Sequence, residues 1–267
     1  MKRFIIGGNW KMQIPLVDDA TTTGKKIANA IKNISTVDIF VAPSFNALYS
    51  VGKIIQNSNL RLGAQNVHYY EKGAFTGQVS VFSLLDAGCE YVICGHSEPR
   101  RIFNETNEII NRKIKLCLEK NLKPVLCIGE TAVERENHRV TEVNEDQLSG
   151  SLKGVSQKEL ERIIIAYEPV WAINNKFLNP DVDIKPATPE QASQAHQIVR
   201  NWIKRNYSDI AADHIRIIYG GSMTPSNAEK LLNLEDIDGG LIGGASLSVD
   251  TFLPIIQSAE QISSSIP

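Results

Sequence analysis

Eight short apolar runs recur along the chain, and most are nearly continuous rather than alternating with polar residues. They are rich in Val and Ile, which favours strands that are buried on both faces of a parallel sheet. The runs span residues 4–6, 37–41, 60–64, 91–94, 124–128, 163–167, 215–219 and 237–242. Segments with helical spacing separate them, so the chain is predicted to alternate between strand and helix.

The helix start at Thr188 is the clearest of these helical signals. Thr188 can be the N-cap, Pro189 suits the first helical position, and Gln191 completes a capping box. Eight such strand-then-helix units predict an α/β fold, a (β/α)8 barrel that forms a single domain over residues 1–267. A doubly wound open sheet is the alternative.

Polar and flexible residues follow nearly every apolar run. They are Asn9 and Lys11, Gln65 and Asn66, His96 to Glu98, Gly129 and Glu130, Glu168, Gly220 to Ser222, and Gly243 with Gly244. Such residues meet in one place only if the strands close into a ring, as they do at the carboxyl end of a barrel. The pattern therefore favours the barrel and predicts a site at that end.

Two Gly-Gly pairs follow the seventh and eighth runs. A lone pair is usually only a turn, but glycine also lets backbone N–H groups approach an anion closely. Phosphate sites in barrels often form from the last two loops. Gly243, Gly244 and the Ser222 hydroxyl are therefore predicted to bind phosphate.

Glu168 and His96 are the candidate acid–base pair. Glu168 is either a strand-end glutamate in a salt bridge or a general base, and Pro169 restricts it to extended geometry. His96 is either structural or a proton donor. A helix is predicted to begin beside it with Ser97 as the cap, and a positive helix end disfavours imidazolium.

Lys11 and Asn9 are the candidate stabilisers of negative charge. Lys11 is either an ordinary surface lysine or a fixed cation, and Asn9 either a turn residue or a donor to the same oxygen. A base, a neutral acid, a cation and a phosphate site together suit proton abstraction next to a carbonyl. No nucleotide loop or activated nucleophile competes with that interpretation.

Composition and charge narrow the alternatives further. The 267 residues are 42% hydrophobic with a formal net charge of −2, which favours neither nucleic acid nor acidic membranes as partners. The four cysteines lie in apolar runs and lack zinc-ligand spacing, so we expect small buried thiols in a reducing compartment. We also expect a cytoplasmic location, with neither a metal nor a cofactor. No apolar run is long enough for a membrane span.

Ordered motifs along the whole chain resemble those of the triosephosphate isomerase family. The matching stretches begin at Gly8, Gly63, Gly73, Gly95, Cys127, Ala166, Tyr219 and Ile242. The resemblance implies interconversion of dihydroxyacetone phosphate and D-glyceraldehyde 3-phosphate through an enediol(ate), in glycolysis and gluconeogenesis, without a cofactor. It also implies a homodimer.

The resemblance assigns a role to each candidate residue. Glu168 would be the base, His96 the electrophile, and Asn9 with Lys11 the groups that bind the substrate and its oxyanion. Glu98 would support them, Tyr219 would help to hold a closing lid, and Ser222, Gly243 and Gly244 would hold the phosphate.

The sequence departs from the family most clearly in the lid, a loop at about 169–187. About eight residues are inserted between Ile173 and Thr188, and both usual glycines are absent. Asn174 is expected to supply the phosphate-binding amide that the first glycine supplies in the family. Phe177, Leu178 and Ile184 are expected to pack together within the longer loop.

A second departure concerns the expected homodimer, which the loop carrying Thr76 would join. Gln78 replaces the usual Glu and Pro99 the usual Arg, so an ion pair across the interface is missing. An exposed ion pair contributes only ~0–1 kcal/mol, so this change argues weakly against dimerisation.

Three interpretations remain at this point. The first is isomerisation of triose phosphates, and the second is a related isomerase of a longer ketose phosphate, such as an erythrulose phosphate. The third is a barrel retained as a binding or scaffold protein without activity. The complete set of Asn9, Lys11, His96 and Glu168 weighs against the third.

Overall fold

Eight parallel strands close into a barrel in which β1 pairs with both β2 and β8. A computed structural model of the chain describes residues 3–173, 175–179 and 186–265. The strands are β1 Ile5–Asn9, β2 Asp38–Ala42, β3 Leu60–Ala64, β4 Cys89–Cys94, β5 Lys123–Ile128, β6 Ile164–Tyr167, β7 Arg216–Tyr219 and β8 Gly239–Ile242. Each predicted run overlaps one strand, so the barrel is confirmed. The doubly wound alternative is wrong, because an open sheet leaves its edge strands unpaired.

Helices follow the strands around the outside of the barrel. The described residues form α1 Val17–Ala30, α2 Phe45–Ile55, α3 Val81–Asp86, α4 Ser97–Ile102, α5 Asn107–Glu119, α6 Ala132–Glu136, α7 Val140–Ser151, α8 Gln157–Leu160, α9 Pro189–Asn206, α10 Asp209–His214, α11 Ala228–Leu232 and α12 Val249–Ser265. Short 3₁₀ turns lie at Val170–Ala172 and Gly244–Leu247. The predicted capping box between Thr188 and Gln191 is present at the start of α9.

The barrel interior is filled by side chains rather than open. Phe40 and Tyr91 stack with their ring centroids 4.6 Å apart. A Cβ at position 7 would lie only 2.2 Å from the Phe40 ring, so only Gly7 leaves β1 room for that ring. The close packing of the interior confines any ligand to the mouth of the barrel.

A larger apolar layer lies between the strands and the helices. All four cysteines lie buried as free thiols, as the sequence predicted. Within the described part of the chain, every helix is too short or too polar to cross a bilayer.

Candidate active site

A cavity of about 210 Å³ opens at the carboxyl end of the barrel. Sites for drug-sized ligands typically enclose ~300–1,000 Å³, so this cavity suits a small metabolite. Seven predicted site residues line it: Asn9, Lys11, His96, Glu168, Ser222, Gly243 and Gly244. The eighth, Asn174, lies outside the described residues.

Glu168 follows β6 directly and is only 2% exposed. Its Oε1 lies 3.0 Å from Nε2 of His96, and its Oε2 accepts the backbone N–H of Ser97 over 2.9 Å. The end of β7 packs closely on this glutamate, since a Cβ on Gly220 would lie 2.7 Å from Glu168 Cγ. Both carboxylate oxygens are therefore held in place before any substrate arrives.

The protonation of Glu168 reflects opposing influences. Burial would raise the pKa of this carboxyl group. The contact with His96, the Ser97 N–H and the positive charge of Lys11 outweigh burial, and they hold the pKa of Glu168 below its ordinary value. Glu168 is therefore an ionised carboxylate at neutral pH, as a general base must be.

His96 occupies the N-cap of α4, where its Nδ1 accepts the backbone N–H of Glu98 over 3.2 Å. The prediction that Ser97 caps this helix is wrong by one residue. A backbone N–H always carries its hydrogen, so Nδ1 must be the acceptor and the ring proton is assigned to Nε2. The ring is therefore neutral and directs its one N–H towards Glu168.

Lys11 has a left-handed backbone with φ of 52°, which is unfavourable for a residue with a side chain. Two neighbours hold that conformation. The Lys11 N–H donates to Asn9 Oδ1 over 3.1 Å, and the Lys11 carbonyl accepts from Gln65 Nε2 over 2.7 Å. Because Asn9 Oδ1 is occupied, the amide nitrogen of Asn9 is left as the donor for a ligand.

The Lys11 ammonium contacts Glu98, whose Oε1 it approaches to 2.9 Å. Burial would raise the pKa of Glu98, but the Lys11 ammonium and the amide of Asn175 hold it below the ordinary value. Lys11 and Glu98 therefore form an ion pair at the edge of the cavity, and Lys11 is not an ordinary surface lysine.

The last two strands contribute backbone rather than charge. Gly243 precedes the 3₁₀ turn Gly244–Leu247, and Gly244 is its first residue. The first N–H groups of such a turn have no partner within it. A Cβ on Gly243 would lie 3.8 Å from Lys11 Cε, so the glycines and the cation share one side of the cavity. This arrangement is suited to an anion such as a phosphate group.

Glu130 is a buried residue of this end of the barrel to which sequence reasoning assigned no role. Its Oε1 accepts hydrogen bonds from the Tyr167 hydroxyl over 2.9 Å and from the Trp171 indole N–H over 2.8 Å. Arg135 forms an ion pair with the same oxygen. The leading end of the lid loop is thereby fixed to the barrel. In the sequence, only the position of Glu130 among the polar residues after β5 indicated that it belongs to this end of the barrel.

The trailing end of the lid loop lies near Tyr219. Burial raises the pKa of the Tyr219 phenol, and the backbone of Ala187 opposes that shift. A Cβ on Gly221 would lie 2.2 Å from the Tyr219 hydroxyl and 3.0 Å from Pro169. The tyrosine hydroxyl therefore lies where the two ends of the loop approach each other.

The described middle of the lid loop differs from expectation. Phe177 is 89% exposed, so it is wrong that this ring packs within the loop. The Phe177 N–H donates to Asn175 Oδ1 over 2.9 Å, in a tight turn that directs the ring outward. Of its two expected partners, Leu178 is half-buried and Ile184 lies outside the described residues.

A neutral imidazole, a buried carboxylate and an ammonium at the mouth of a (β/α)8 barrel define a class of enzyme, the aldose–ketose isomerases that move protons beside a carbonyl. A sequence profile described as triosephosphate isomerase matches residues 4–259. The chain belongs to the triosephosphate isomerase family.

Individual relatives agree with that assignment over nearly their whole length. Triosephosphate isomerase of Chloroherpeton thalassium is 41% identical over 260 residues, which are 97% of this chain and 100% of the relative. That of Chlorobaculum tepidum is 45% identical over 256 residues, or 94% and 99%. The crystal structure of triosephosphate isomerase from Bartonella henselae superposes with a TM-score of 0.84 at 35% identity, covering 96% of this chain and 98% of that one.

Proposed function

We propose that this chain interconverts dihydroxyacetone phosphate and D-glyceraldehyde 3-phosphate, as a step of glycolysis and gluconeogenesis. The observation that carries the proposal is the 3.0 Å contact between the ionised Glu168 carboxylate and the neutral His96 ring. A base and a proton donor so close together can act on neighbouring atoms of one small substrate.

Glu168 acts as the base in this proposal. Its carboxylate removes a proton from the carbon next to the substrate carbonyl, and the electron pair of that C–H bond moves toward the carbonyl oxygen. The resulting enediol(ate) takes the proton back at the adjacent carbon, while the hydroxyl proton on the first carbon's oxygen passes to the former carbonyl oxygen. These two proton transfers convert ketose into aldose. No group is lost, so a single carboxylate serves both half-reactions.

His96, Lys11 and Asn9 stabilise the oxygen on which negative charge develops. The Nε2–H of His96 donates to that oxygen, and a neutral donor avoids the cost of an imidazolium at the positive end of α4. The Lys11 ammonium adds a charge, and the Asn9 amide nitrogen, whose oxygen accepts the Lys11 N–H, adds a further donor. Donors that are already oriented act more strongly on the transition state than on the substrate.

Ser222, Gly243 and Gly244 hold the substrate phosphate. They line the same cavity as Glu168, so one short phosphorylated substrate can contact both the base and the phosphate site. Asn174 is proposed to add a backbone amide from the lid loop at about 169–187. No cofactor or metal takes part in the proposed reaction.

A paired enzyme assay tests this function. Dihydroxyacetone phosphate is assayed with a coupled dehydrogenase, beside a four-carbon erythrulose phosphate under the same conditions. The proposal expects kcat/KM to be at least ~100-fold higher for the triose, the size of discrimination that one extra carbon can give in a fitted site. Preference for the four-carbon substrate would instead support the related isomerase, and no turnover of either would support a binding protein.

A homodimer in the cytoplasm completes the proposal. The loop that carries Thr76 presents the aromatic rings of Tyr70 and Phe75, which stack 5.1 Å apart and are partly exposed. Exposed apolar side chains of this kind are typical of a surface that a partner covers. The four free buried thiols are compatible with a reducing compartment.

A further inference from the structure

Asn175, in the described middle of the lid loop, contacts the charged pair at the edge of the cavity. Its Nδ2 donates to Glu98 Oε1 over 2.8 Å. Lys11 Nζ donates to the same oxygen over 2.9 Å. One carboxylate oxygen therefore accepts two hydrogen bonds, one from a neutral amide and one from an ammonium.

The orientation of the Asn175 amide follows from its other contact. Its Oδ1 accepts the backbone N–H of Phe177 over 2.9 Å. A backbone N–H can only donate, so the oxygen must face Phe177 and the NH₂ group must face Glu98. The amide cannot be flipped without breaking both hydrogen bonds.

The turn that carries Asn175 is fixed to the beginning of the lid loop. Asn179 is only 7% exposed, and its Nδ2 donates to the carbonyls of Val170 and Ile173 over 2.8 and 3.0 Å. The Asn179 N–H in turn donates to the Asn175 carbonyl over 2.9 Å. Asn175 is thus held in position by backbone contacts, independently of Glu98.

We propose that Asn175 is a positioning residue for Lys11 that acts through Glu98. Its amide orients Glu98 Oε1 and takes up part of the hydrogen-bonding capacity of that oxygen, so the carboxylate holds Lys11 less tightly. The Lys11 ammonium is then free to donate to substrate. This inference rests on the proposed role of Lys11 in substrate binding.

The groups that face Glu98 determine what a substitution does. Lys11 reaches Glu98 from the end of β1, and His96 lies on the same helix end with its Nδ1 3.5 Å from Glu98 Oε2. Asn175→Asp keeps the size of the side chain and the acceptor for Phe177, but replaces the donor to Glu98 by a carboxylate. Two carboxylates at one site raise the pKa of one of them.

The experiment compares KM and kcat for dihydroxyacetone phosphate between pH ~5 and ~8 in the full-length native protein, Asn175→Ala and Asn175→Asp. We expect KM to rise about tenfold in Asn175→Ala at all pH values, which is the effect of losing one hydrogen bond to a charged group. The kcat of this variant should stay within about threefold of the native value. In Asn175→Asp the KM ratio to native is larger near pH 8 and shrinks as the pH falls, because the protonated pair regains a donor.

Phe177→Ala is the matched control, since its exposed ring is removed while its backbone contact to Asn175 remains. Native KM in this control supports the proposal, and an equal defect in it overturns the proposal. KM ratios within twofold of native in both Asn175 variants, or a ratio for Asn175→Asp that does not change with pH, also overturn it.

A second measurement needs no substrate and separates this inference from the proposed function. The Glu98 carboxyl pKa is followed by ¹³C NMR in the native protein and in Asn175→Asp, with Glu98→Gln used to assign the signal. The inference expects the pKa of Glu98 to be higher in the variant, because a donor that lowers this pKa is replaced by a second carboxylate. An unchanged pKa of Glu98 overturns the inference. If the native protein lacks triose turnover, the proposed function fails while this measurement still decides whether Asn175 acts on Glu98.

Discussion

His96 Nε2 lies 3.0 Å from Glu168 Oε1, and the opposite ring nitrogen is occupied by the backbone N–H of Glu98. Nδ1 is therefore fixed as an acceptor, and Nε2 carries the one N–H of the ring, which is directed at Glu168. A substrate oxygen that replaces Glu168 as the partner of Nε2 would accept this N–H, and the carboxylate would then lie beside the neighbouring carbon.

His96→Gln is expected to lower kcat by roughly 100- to 1,000-fold while KM changes little, because the donor matters most when charge builds up on oxygen. Steady-state kinetics with dihydroxyacetone phosphate measure both constants. His214→Gln, an exposed histidine at the end of α10, serves as the control and should behave as native. A defect in KM alone would contradict the assigned role.

Lys11→Met is expected to raise KM by roughly 10- to 100-fold in addition to lowering kcat, since a charge that faces an anion is lost. The matched control is Lys26→Met, an exposed lysine on α1. Unchanged KM in Lys11→Met would mean that this ammonium serves only its ion pair with Glu98.

The charge of Lys11 is also expected to affect the titration of Glu168. The pKa of Glu168 is held below the ordinary value of 4.5, so its carboxylate, and with it the base, is lost only when the pH falls below that value. In Lys11→Met one of the influences that lower this pKa is gone, and the pKa should rise. Titration of the Glu168 carboxyl by ¹³C NMR measures both values, and a lower pKa in the variant would refute the electrostatic account.

Association of the chain is expected to depend little on salt. With Gln78 and Pro99 in place of the family's charged pair, apolar contacts at the Thr76 loop would carry the interface. Sedimentation at micromolar concentration should show a dimer in both ~0.05 M and ~0.5 M salt. Phe75→Asp should shift the equilibrium toward monomer, and a fully active native monomer would argue against the proposed dimer.

Much of the fold was predictable because a continuous apolar run directly indicates a strand that is buried on both faces. Residues 163–167, for example, are apolar without alternation, as a strand buried on both faces requires, and β6 lies there. The site followed because polar residues at the ends of such strands, Glu168 among them, must meet if the barrel closes.

Other features depend on geometry that sequence patterns do not encode. Both Ser97 and His96 carry an acceptor that can cap α4, and the choice depends on where the chain turns at Gly95, which has φ of 71°. The contact between Asn175 and Glu98 joins residues 77 positions apart and depends on the path of the lid loop. No local spacing rule predicts that path.

The most direct test of the account is the turnover of dihydroxyacetone phosphate by Glu168→Gln, which keeps the size of the side chain but removes its proton affinity. Glu190→Gln, an exposed position in the first turn of α9, is the matched control, and circular dichroism verifies that both variants are folded. The account predicts a folded Glu168→Gln protein whose kcat is lower by roughly 100- to 10,000-fold, the usual contribution of a general base. Near-native turnover by that variant would contradict the assignment of Glu168 as the base.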